Sequence, residues 1–388
     1  MPKFKKSIAF LLTACLLFPL FARSTYAVEA EEGVPSVSAQ SAVLIEAASG
    51  TVVASKDAHK LLPMASTTKI MTAVTALSLA SSDTRITVTE EAVGVEGSSI
   101  YLVAGEVLTL EQLLYALMLE SANDAAVAIA VGLCGSVEQF AAEMNRLAGE
   151  WGLKCTHFVN PHGLDDEEHY TTAYELARIT QKLLENELLC TIVSTQKTTI
   201  PHAEADGTRY LANHNKLLRL YDDCVGVKTG FTKRSGRCLV SAATREGVTM
   251  IAVTLNAPDD WNDHMSLLDY GFTQFSSVLL CEGEELTYSV PVVGGMTSAV
   301  TVCNLDDVCV TLPTAHGEIT QTVELPRFAY AAIGAGELMG RVVFFCDTDR
   351  DGKAEQIGEV ALYSCHAVEQ TPRKKSFWQW LKGLFGIK

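Results

Sequence analysis

The chain has little basic charge for its size. Its 388 residues include 30 lysines and arginines against 46 aspartates and glutamates, and the formal net charge is −16. The first 27 and the last 18 residues hold nine of the basic residues and none of the acidic ones, which leaves 21 basic against 46 acidic residues in the body between them. Nucleic-acid binding needs a basic surface to neutralise phosphates, so this body argues against a nucleic-acid partner.

Closely spaced cysteine pairs are also absent. The 11 cysteines are scattered, with no Cys-x-x-Cys string. Several lie within apolar strings such as Leu133-Cys134, Leu189-Cys190 and Leu280-Cys281, which predicts that most of them are small buried hydrophobic residues. The sequence leaves open a disulfide between Cys303 and Cys309.

The N-terminal segment lacks a hydrophobic run long enough to cross a bilayer. After three lysines within the first six residues, the apolar stretch Ile8–Phe21 is short and contains Pro19. Small residues that suit a cleavage site end at Ala27. We predict a signal peptide over residues 1–27, in preference to a membrane anchor or a lipoprotein site at Cys15, and hence an exported protein.

The chain does contain three short strings that together carry chemistry. Ser66-Thr67-Thr68-Lys69 supplies a serine hydroxyl and an amine, and Ser121-Ala122-Asn123 supplies a second hydroxyl. Lys228-Thr229-Gly230 supplies a cationic strand for an anionic substrate. A serine hydroxyl is a poor nucleophile until a neighbour removes its proton, and a neutral lysine can do so. The set is typical of acyl-transferring serine enzymes that use no histidine.

Spacing places the first string on a helix. Apolar residues recur at helical spacing over Ile70–Leu77, so we expect Ser66 in the first turn and Lys69 one turn later on the same face. A second Ser-x-x-Lys string, Ser194–Lys197, lies among β-branched residues that indicate extended structure. Positions i and i+3 of a strand point to opposite faces, so we assign only the first string to the site.

With these strings in place, the stretch from about Pro35 to Phe275 resembles the D-alanyl-D-alanine carboxypeptidases, the low-molecular-weight penicillin-binding proteins. Flanking strings agree, namely Asn160-Pro161-His162-Gly163-Leu164, His169-Tyr170-Thr171-Thr172-Ala173 and Asn213-His214-Asn215-Lys216-Leu217-Leu218. The resemblance implies a serine-type carboxypeptidase, a hydrolase that removes the terminal D-alanine from peptidoglycan stem peptides through an acyl-enzyme. It also implies inhibition by penicillin and other β-lactam antibiotics, with no cofactor and no metal.

The resemblance implies a catalytic role for three residues. Ser66 is expected to be the nucleophile, Lys69 its base, and Ser121 the relay that passes the proton to the leaving amine. Partial burial and the nearby Lys228 would lower the pKa of Lys69 and so supply the neutral amine. Helix capping is the alternative role for Ser121 and Asn123.

The remaining expected site residues bind substrate. Asn123 would bind the substrate amide, Lys228 and Thr229 its terminal carboxylate, Gly230 would let the substrate backbone approach, and Phe231 would supply an oxyanion N–H. Relatives often carry an arginine at the position of His214. Because histidine can titrate near neutrality, carboxylate binding there is expected to be weaker or pH-dependent.

Strand and helix patterns predict an α+β fold. Strands at both ends of residues 35–276, with helices between them, indicate one antiparallel sheet with a helical cluster, as in the penicillin-binding/β-lactamase-like transpeptidase fold that the resemblance implies. Short β-branched runs separated by turn residues predict a small all-β sandwich domain over residues 284–368.

An amphipathic helix is predicted over residues 371–388. Its tryptophans and lysines favour a position on an anionic membrane surface, and packing against the β domain is the alternative. We therefore expect a peripheral protein at the outer face of the cytoplasmic membrane.

Two clusters resemble metal sites without matching their spacing. Cys155, His157, His162 and His169 fit no common zinc pattern, and a structural loop is the preferred interpretation. The segment from Asp347 opens like a calcium loop but has Gly358 where the twelfth-position glutamate would stand, so we predict a hairpin turn.

Other functions share part of this equipment. A class A β-lactamase deacylates with a glutamate in a Glu-x-x-Leu-Asn string, which this chain lacks, so slow release of penicillin is expected. An endopeptidase or transpeptidase acting on wall crosslinks would use the same motifs and stays open. A catalytically idle wall-binding module is disfavoured by the intact set of Ser66, Lys69 and Ser121.

Overall fold

A computed structural model describes residues 33–202, 207–348, 350 and 352–372. The predicted signal peptide lies outside these described residues, as does the predicted tail helix apart from its first two residues. Both therefore stay predictions.

The described residues up to position 274 alternate strands and helices. In chain order these are β1 (Ser41–Glu46), β2 (Val52–Lys56), α1 (Lys69–Leu79), β3 (Arg85–Thr87), β4 (Val107–Thr109), α2 (Leu110–Leu119), α3 (Asn123–Cys134), α4 (Val137–Glu150), α5 (Ala173–Leu184), α6 (Glu187–Ser194), β5 (Lys197–Pro201), β6 (Thr208–Ala212), α7 (Leu217–Leu220), β7 (Cys224–Thr232), β8 (Gly236–Arg245), β9 (Val248–Leu255) and α8 (Asp260–Gln274). Short 3-10 helices span Ala65–Thr68 and Glu90–Ala92.

From residue 275 onward the described residues form strands without an α-helix. They are β10 (Phe275–Cys281), β11 (Thr287–Val293), β12 (Ala299–Cys303), β13 (Val308–Pro313), β14 (Ile319–Glu324), β15 (Ala329–Tyr330), β16 (Leu338–Cys346) and β17 (Glu355–Ser364).

A five-stranded antiparallel sheet in the order β2-β1-β9-β8-β7 supports the first part. β1 pairs with β2, its hairpin partner, on one side and with β9 on the other, for example Val43 with Val253, so the start of the chain is joined to a strand about two hundred residues later. β9 is buried at nearly every position because α5 and α8 both pack against it. The sheet with its helical cluster confirms the predicted α+β class.

The helical cluster packs its apolar residues against this sheet in one core. α1 has Ile70, Met71, Ala73 and Ala76 fully buried, so it runs through the protein interior and not along the surface. A buried aliphatic side chain contributes about 1.5–3 kcal/mol to stability. The residues that begin this helix are therefore held in place by a large hydrophobic contact.

The second part is the predicted all-β sandwich. It contains a six-stranded sheet in the order β14-β16-β17-β12-β11-β15 and a two-stranded ladder of β10 and β13, and β17 packs against this ladder. Valines such as Val290, Val300 and Val342 fill the space between them. The Sγ atom of Cys303 lies 2.9 Å from that of Cys365, whereas Cys309 is exposed on β13. The fold therefore offers Cys365 as the neighbour of Cys303.

One local prediction is wrong. The stretch around Ser194 was expected to be extended, but it forms the end of α6, and extended structure begins only at Lys197. The Asn186 side chain accepts a hydrogen bond from the N–H of Leu189 and caps this helix. Leu189, Ile192 and Val193 then bury one face, so apolar spacing outweighs the β-branched composition.

The segment from Asp347 joins β16 to β17, which pair antiparallel, as the predicted hairpin turn requires. Among the described residues, no single helix is long and apolar enough to span a membrane. Within the same described ranges, α3 and α4 taken together reach that length and composition, but they are bent by 84° relative to each other.

A buried ion pair connects the β5–β6 hairpin to the loop beside α3. Arg209 on β6 pairs with Glu106, and their side chains are only 7% and 4% exposed. Arg209 also donates to the backbone oxygens of Ile100 and Tyr101 at 2.9 and 3.1 Å. Removal of one member would leave the other charge buried and unpaired.

Arg209→Ala is therefore expected to lower the free energy of unfolding by about 3–5 kcal/mol, measured by urea denaturation. Arg146→Ala, which removes an exposed pair with Glu143 and Glu150, is the matched control and should change little. Equal effects of the two substitutions would contradict this account of the buried pair.

Candidate active site

The three strings meet at one cleft of about 360 Å³. Six of the predicted site residues line it, namely Ser66, Ser121, His214, Thr229, Gly230 and Phe231. The other three, Lys69, Asn123 and Lys228, are buried. The cleft also has walls that sequence analysis did not predict, formed by Ser98, Lys216, Arg237, Asp260 and Trp261.

Ser66 lies in the 3-10 turn Ala65–Thr68 that leads directly into α1. Residues three apart are nearly eclipsed in a 3-10 helix, so Lys69 sits over Ser66 and its Nζ is 3.0 Å from the Ser66 Oγ. The predicted contact between the two side chains is present. Ala65 has a left-handed φ of 47°, an unfavourable backbone conformation of the kind that clusters at functional sites.

Two further acceptors surround the Lys69 amine. Its Nζ donates to Asn123 Oδ1 and to the backbone oxygen of His162, each at 2.6 Å. Asn123 is oriented by its own Nδ2, which donates to the backbone oxygen of Glu96 at 2.6 Å. A neutral amine has two N–H groups and one lone pair. In the neutral form the two carbonyl oxygens take both N–H groups, which leaves the lone pair to accept the proton of the Ser66 hydroxyl at 3.0 Å.

The surroundings of Lys69 favour this neutral form. Burial lowers the pKa of Lys69 well below the ordinary value of 10.5, and the charge of Lys228 lowers it further, while Asp124 acts in the opposite direction. Burial also lowers the pKa of Lys228 to about 7. A buried lysine near another cation is the usual way to obtain an amine base at neutral pH.

Asp124 holds the loop that borders the cleft. Its carboxylate accepts hydrogen bonds from the Ser99 hydroxyl and from the N–H groups of Ile100 and Leu102. Ser121, three residues earlier, lines the cleft with a left-handed φ of 59°. The capping alternative for Ser121 and Asn123 is not observed, because α3 begins without a side-chain cap.

Two glycines allow the walls of the site to approach each other. A Cβ on Gly230 would lie 3.1 Å from the backbone nitrogen of Ser66, a tight contact that would require β7 or the nucleophile turn to shift slightly. Gly163 has a φ of +88°, and a Cβ there would clash with the backbone oxygen of Ala65. Gly230 was expected to let the substrate backbone approach. In the structure, it lies close to the backbone of the nucleophile turn.

The loop around His162 and His169, which was predicted to be a structural loop, contacts the nucleophile turn and the Lys69 amine. His169 Nδ1 accepts from the N–H of Val159 at 3.1 Å, so its Nε2 carries the proton and donates to Thr68 Oγ1 at 2.8 Å. Burial, the largest cause in each case, lowers the pKa of His162 to about 3 and of His169 to about 4. Both rings are therefore neutral near pH 7.

His214 stands at the outer edge of the cleft. Its side chain is 49% exposed, and Nε2 lies 3.3 Å from the Oε2 of Glu120. An anionic ligand at this imidazole would also meet the Glu120 carboxylate. The structure thus places His214 beside the cleft, with its imidazole next to the Glu120 side chain.

Comparison with known proteins identifies a family model and relatives that are similar to this chain in sequence. A family model described as D-alanyl-D-alanine carboxypeptidase matches residues 27–259. The Bacillus subtilis D-alanyl-D-alanine carboxypeptidase DacF is 31% identical over 361 residues, which cover 90% of this chain and 89% of DacF.

Two solved structures have the same fold. Penicillin-binding protein 5 from Haemophilus influenzae superposes with a TM-score of 0.62 at 27% identity, covering 87% of this chain and 99% of its own. The Streptomyces K15 DD-transpeptidase gives a TM-score of 0.58 at 33% identity, over 61% of this chain and 98% of its own.

Neutralising the two charged residues near Lys69 should shift the pH dependence of the Ser66 reaction in opposite directions. The rate at which a fluorescent penicillin labels Ser66 should fall at low pH as Lys69 becomes protonated. This fall is the acid limb of the pH profile. Because Asp124 raises the pKa of Lys69 and Lys228 lowers it, Asp124→Asn should move this acid limb to lower pH. Lys228→Gln should move it to higher pH, most clearly below pH 7, where Lys228 carries its charge.

The measurement is the second-order labelling rate between pH 4 and 10, normalised for each variant. Ser99→Ala, which removes one hydrogen bond to Asp124 but no charge, is the control and should leave the limb in place. Shifts of the same sign in the two charge variants would contradict the assignment of the limb to Lys69.

Proposed function

The chain belongs to the D-alanyl-D-alanine carboxypeptidase family, and we propose that Ser66 is the nucleophile and Lys69 the base with which it acts. It is a serine-type D-Ala-D-Ala carboxypeptidase, a hydrolase of the penicillin-binding protein class. The observation that carries the assignment of roles is the set of three partners around the Lys69 Nζ, which leaves a lone pair for the Ser66 hydroxyl.

Acylation begins when Lys69 takes the Ser66 proton. The Oγ then forms a bond to the carbonyl carbon of the penultimate D-alanine, and the negative charge develops on the carbonyl oxygen. The N–H groups of Ser66 and Phe231 are the proposed oxyanion donors. The approach of Gly230 to the Ser66 nitrogen supports this role, because it brings the end of β7 to the nucleophile turn. One such donor is typically worth about 10²–10³ in rate.

Ser121 relays the proton to the leaving nitrogen. The C–N bond breaks, free D-alanine departs, and an ester on Ser66 remains. Water then hydrolyses the ester and restores the hydroxyl. Asn123 is proposed to bind the substrate amide as predicted and also to orient Lys69, since its Oδ1 and Nδ2 contact Lys69 and Glu96 in the free protein.

Lys228, Thr229 and His214 are the proposed recognition elements for the terminal carboxylate. Thr229 and His214 line the cleft directly, whereas Lys228 is buried next to Thr229 and would act through its charge. A site that holds a free C-terminus favours an exopeptidase over an enzyme that cuts inside a chain.

The test is incubation with an acylated peptide that ends in D-Ala-D-Ala, with free D-alanine measured by an amino-acid oxidase assay. We expect the intact protein to release D-alanine, and Ser66→Ala and Lys69→Ala each to lose at least about 10³-fold in kcat/KM. Release from Ser66→Ala at the normal rate would refute the assignment. Cleavage of a crosslinked dimer peptide in preference to the linear one would favour an endopeptidase.

We also propose that the protein is exported and attached to the membrane. The basic and apolar pattern of residues 1–27 supports export, and the amphipathic pattern of residues 371–388 supports peripheral attachment at the outer face of the cytoplasmic membrane. We divide the mature chain into a catalytic domain over 35–276 and a β-sandwich domain over 284–368.

Deletion of residues 377–388 is expected to release the protein from anionic liposomes while penicillin labelling is unchanged. The measurement is co-sedimentation with vesicles that contain phosphatidylglycerol, with neutral vesicles as control. Undiminished sedimentation of the truncated protein would rule out the tail as the membrane anchor.

A further inference from the structure

Neither of the two interior lysines presents a permanent charge at the cleft surface, where the carboxylate end of the substrate would bind. The Lys69 amine is occupied by three partners. The Lys228 side chain is buried, and its Nζ donates to the backbone oxygen of Thr229 at 2.9 Å. Burial lowers the pKa of Lys228 to about 7, so at neutral pH much of its charge is lost. Neither amine presents a permanent charge at the cleft surface.

Arg237 does present one. It lies on β8 directly opposite Phe231, the residue that follows the Lys-Thr-Gly string. Facing residues of an antiparallel pair project from the same side of the sheet, and diagonal neighbours lie within reach of long side chains. Arg237 is thus a same-face neighbour of Thr229. Its side chain is 42% exposed and lines the cleft with Ser66.

The guanidinium of Arg237 is held in a fixed orientation. Its Nη2 lies 2.9 and 2.8 Å from the two carboxylate oxygens of Asp260, whose side chain is only 3% exposed. Its Cζ lies 5.6 Å from the centre of the Trp261 ring, which supports the guanidinium from one face. Such a contact restricts the side chain and reduces the ordering that ligand binding would require.

One edge of the guanidinium remains available. An arginine has five N–H donors, and Asp260 uses those of Nη2. Within the described part of the chain, no residue accepts a hydrogen bond from Nε or Nη1 of Arg237. A guanidinium can bind a second carboxylate with such a free edge.

We propose that Arg237 binds the terminal carboxylate of the substrate and is a specificity-determining residue of this cleft, a role that rests on the proposed carboxypeptidase function. It adds a permanently charged guanidinium to the recognition elements proposed above, of which His214 lies at the outer edge of the cleft beside Glu120. Asp260 and Trp261 are positioning residues for its guanidinium. An ion pair that merely fastens β8 to α8 would contain the same Arg237–Asp260 contact, so the test must separate the two roles.

The test pairs Arg237→Gln with two probes that differ only in the carboxylate. Benzylpenicillin carries a carboxylate next to the amide it presents to Ser66, and its methyl ester lacks that charge. For Arg237→Gln we expect acylation by benzylpenicillin to slow about 10- to 100-fold, as for loss of a hydrogen bond to a charged group. Acylation by the ester should stay within about twofold of the unaltered protein, because no carboxylate contact is lost.

Three variants serve as controls. Arg234→Gln removes an exposed arginine from the same β7–β8 turn and should affect neither probe. Lys216→Gln removes the other cation near Trp261 and should have a smaller selective effect than Arg237→Gln. Arg237→Lys should recover part of the benzylpenicillin rate, because it restores a charge without the planar fork.

Equal losses with both probes would show that Arg237 acts only through the fold and would overturn the proposal. A larger selective loss in Lys216→Gln than in Arg237→Gln would also overturn it and would assign the role to Lys216. Both readouts use penicillin, so they are independent of D-alanine release. If the protein failed to release D-alanine, the proposed carboxypeptidase function would be refuted. The two penicillin probes would still show whether Arg237 binds a ligand carboxylate in this cleft.

Discussion

The structure depends on the burial of one amine beside one alcohol. Lys69 can remove a proton from Ser66 only if its amine is neutral, and removing the side chain from water favours that form. Burial alone would not orient the nitrogen lone pair of Lys69 toward the Ser66 hydroxyl. The acceptors on Asn123 and His162 fix the two N–H groups, so the same contacts that satisfy the buried amine also aim it at the Ser66 oxygen.

Each wall of the cleft contributes to this arrangement through backbone geometry. The left-handed conformations of Ala65 and Ser121 each cost about 1–3 kcal/mol, and the surrounding core must compensate. Gly163 and Gly230 let two other segments approach the nucleophile turn, and the neutral His169 connects that turn to the loop behind it. Substitutions at these positions would act on the alignment of Ser66 without touching substrate.

Sequence reasoning recovered the parts that local periodicity encodes. The helices expected between the strands are present, and α2 and α5 show why, because their apolar spacing is regular and a threonine caps each at its start. It misjudged α6, whose β-branched residues favour strands. It assigned no role at the cleft to Asp124 or Arg237, because their roles arise when loops and strands distant in sequence meet. The backbone oxygen of His162 cannot be predicted from residue type at all, since any residue could supply it.

The most direct test of the central claim is the titration of the Lys69 amine itself. NMR of protein labelled with ¹³C at the lysine ε-carbon, with Lys69→Arg to assign the resonance, would give its pKa in the folded state. The account predicts a midpoint far below 10.5, the ordinary lysine value, and a return toward that value on unfolding. A Lys69 resonance that titrates near 10.5 in the folded protein would contradict it.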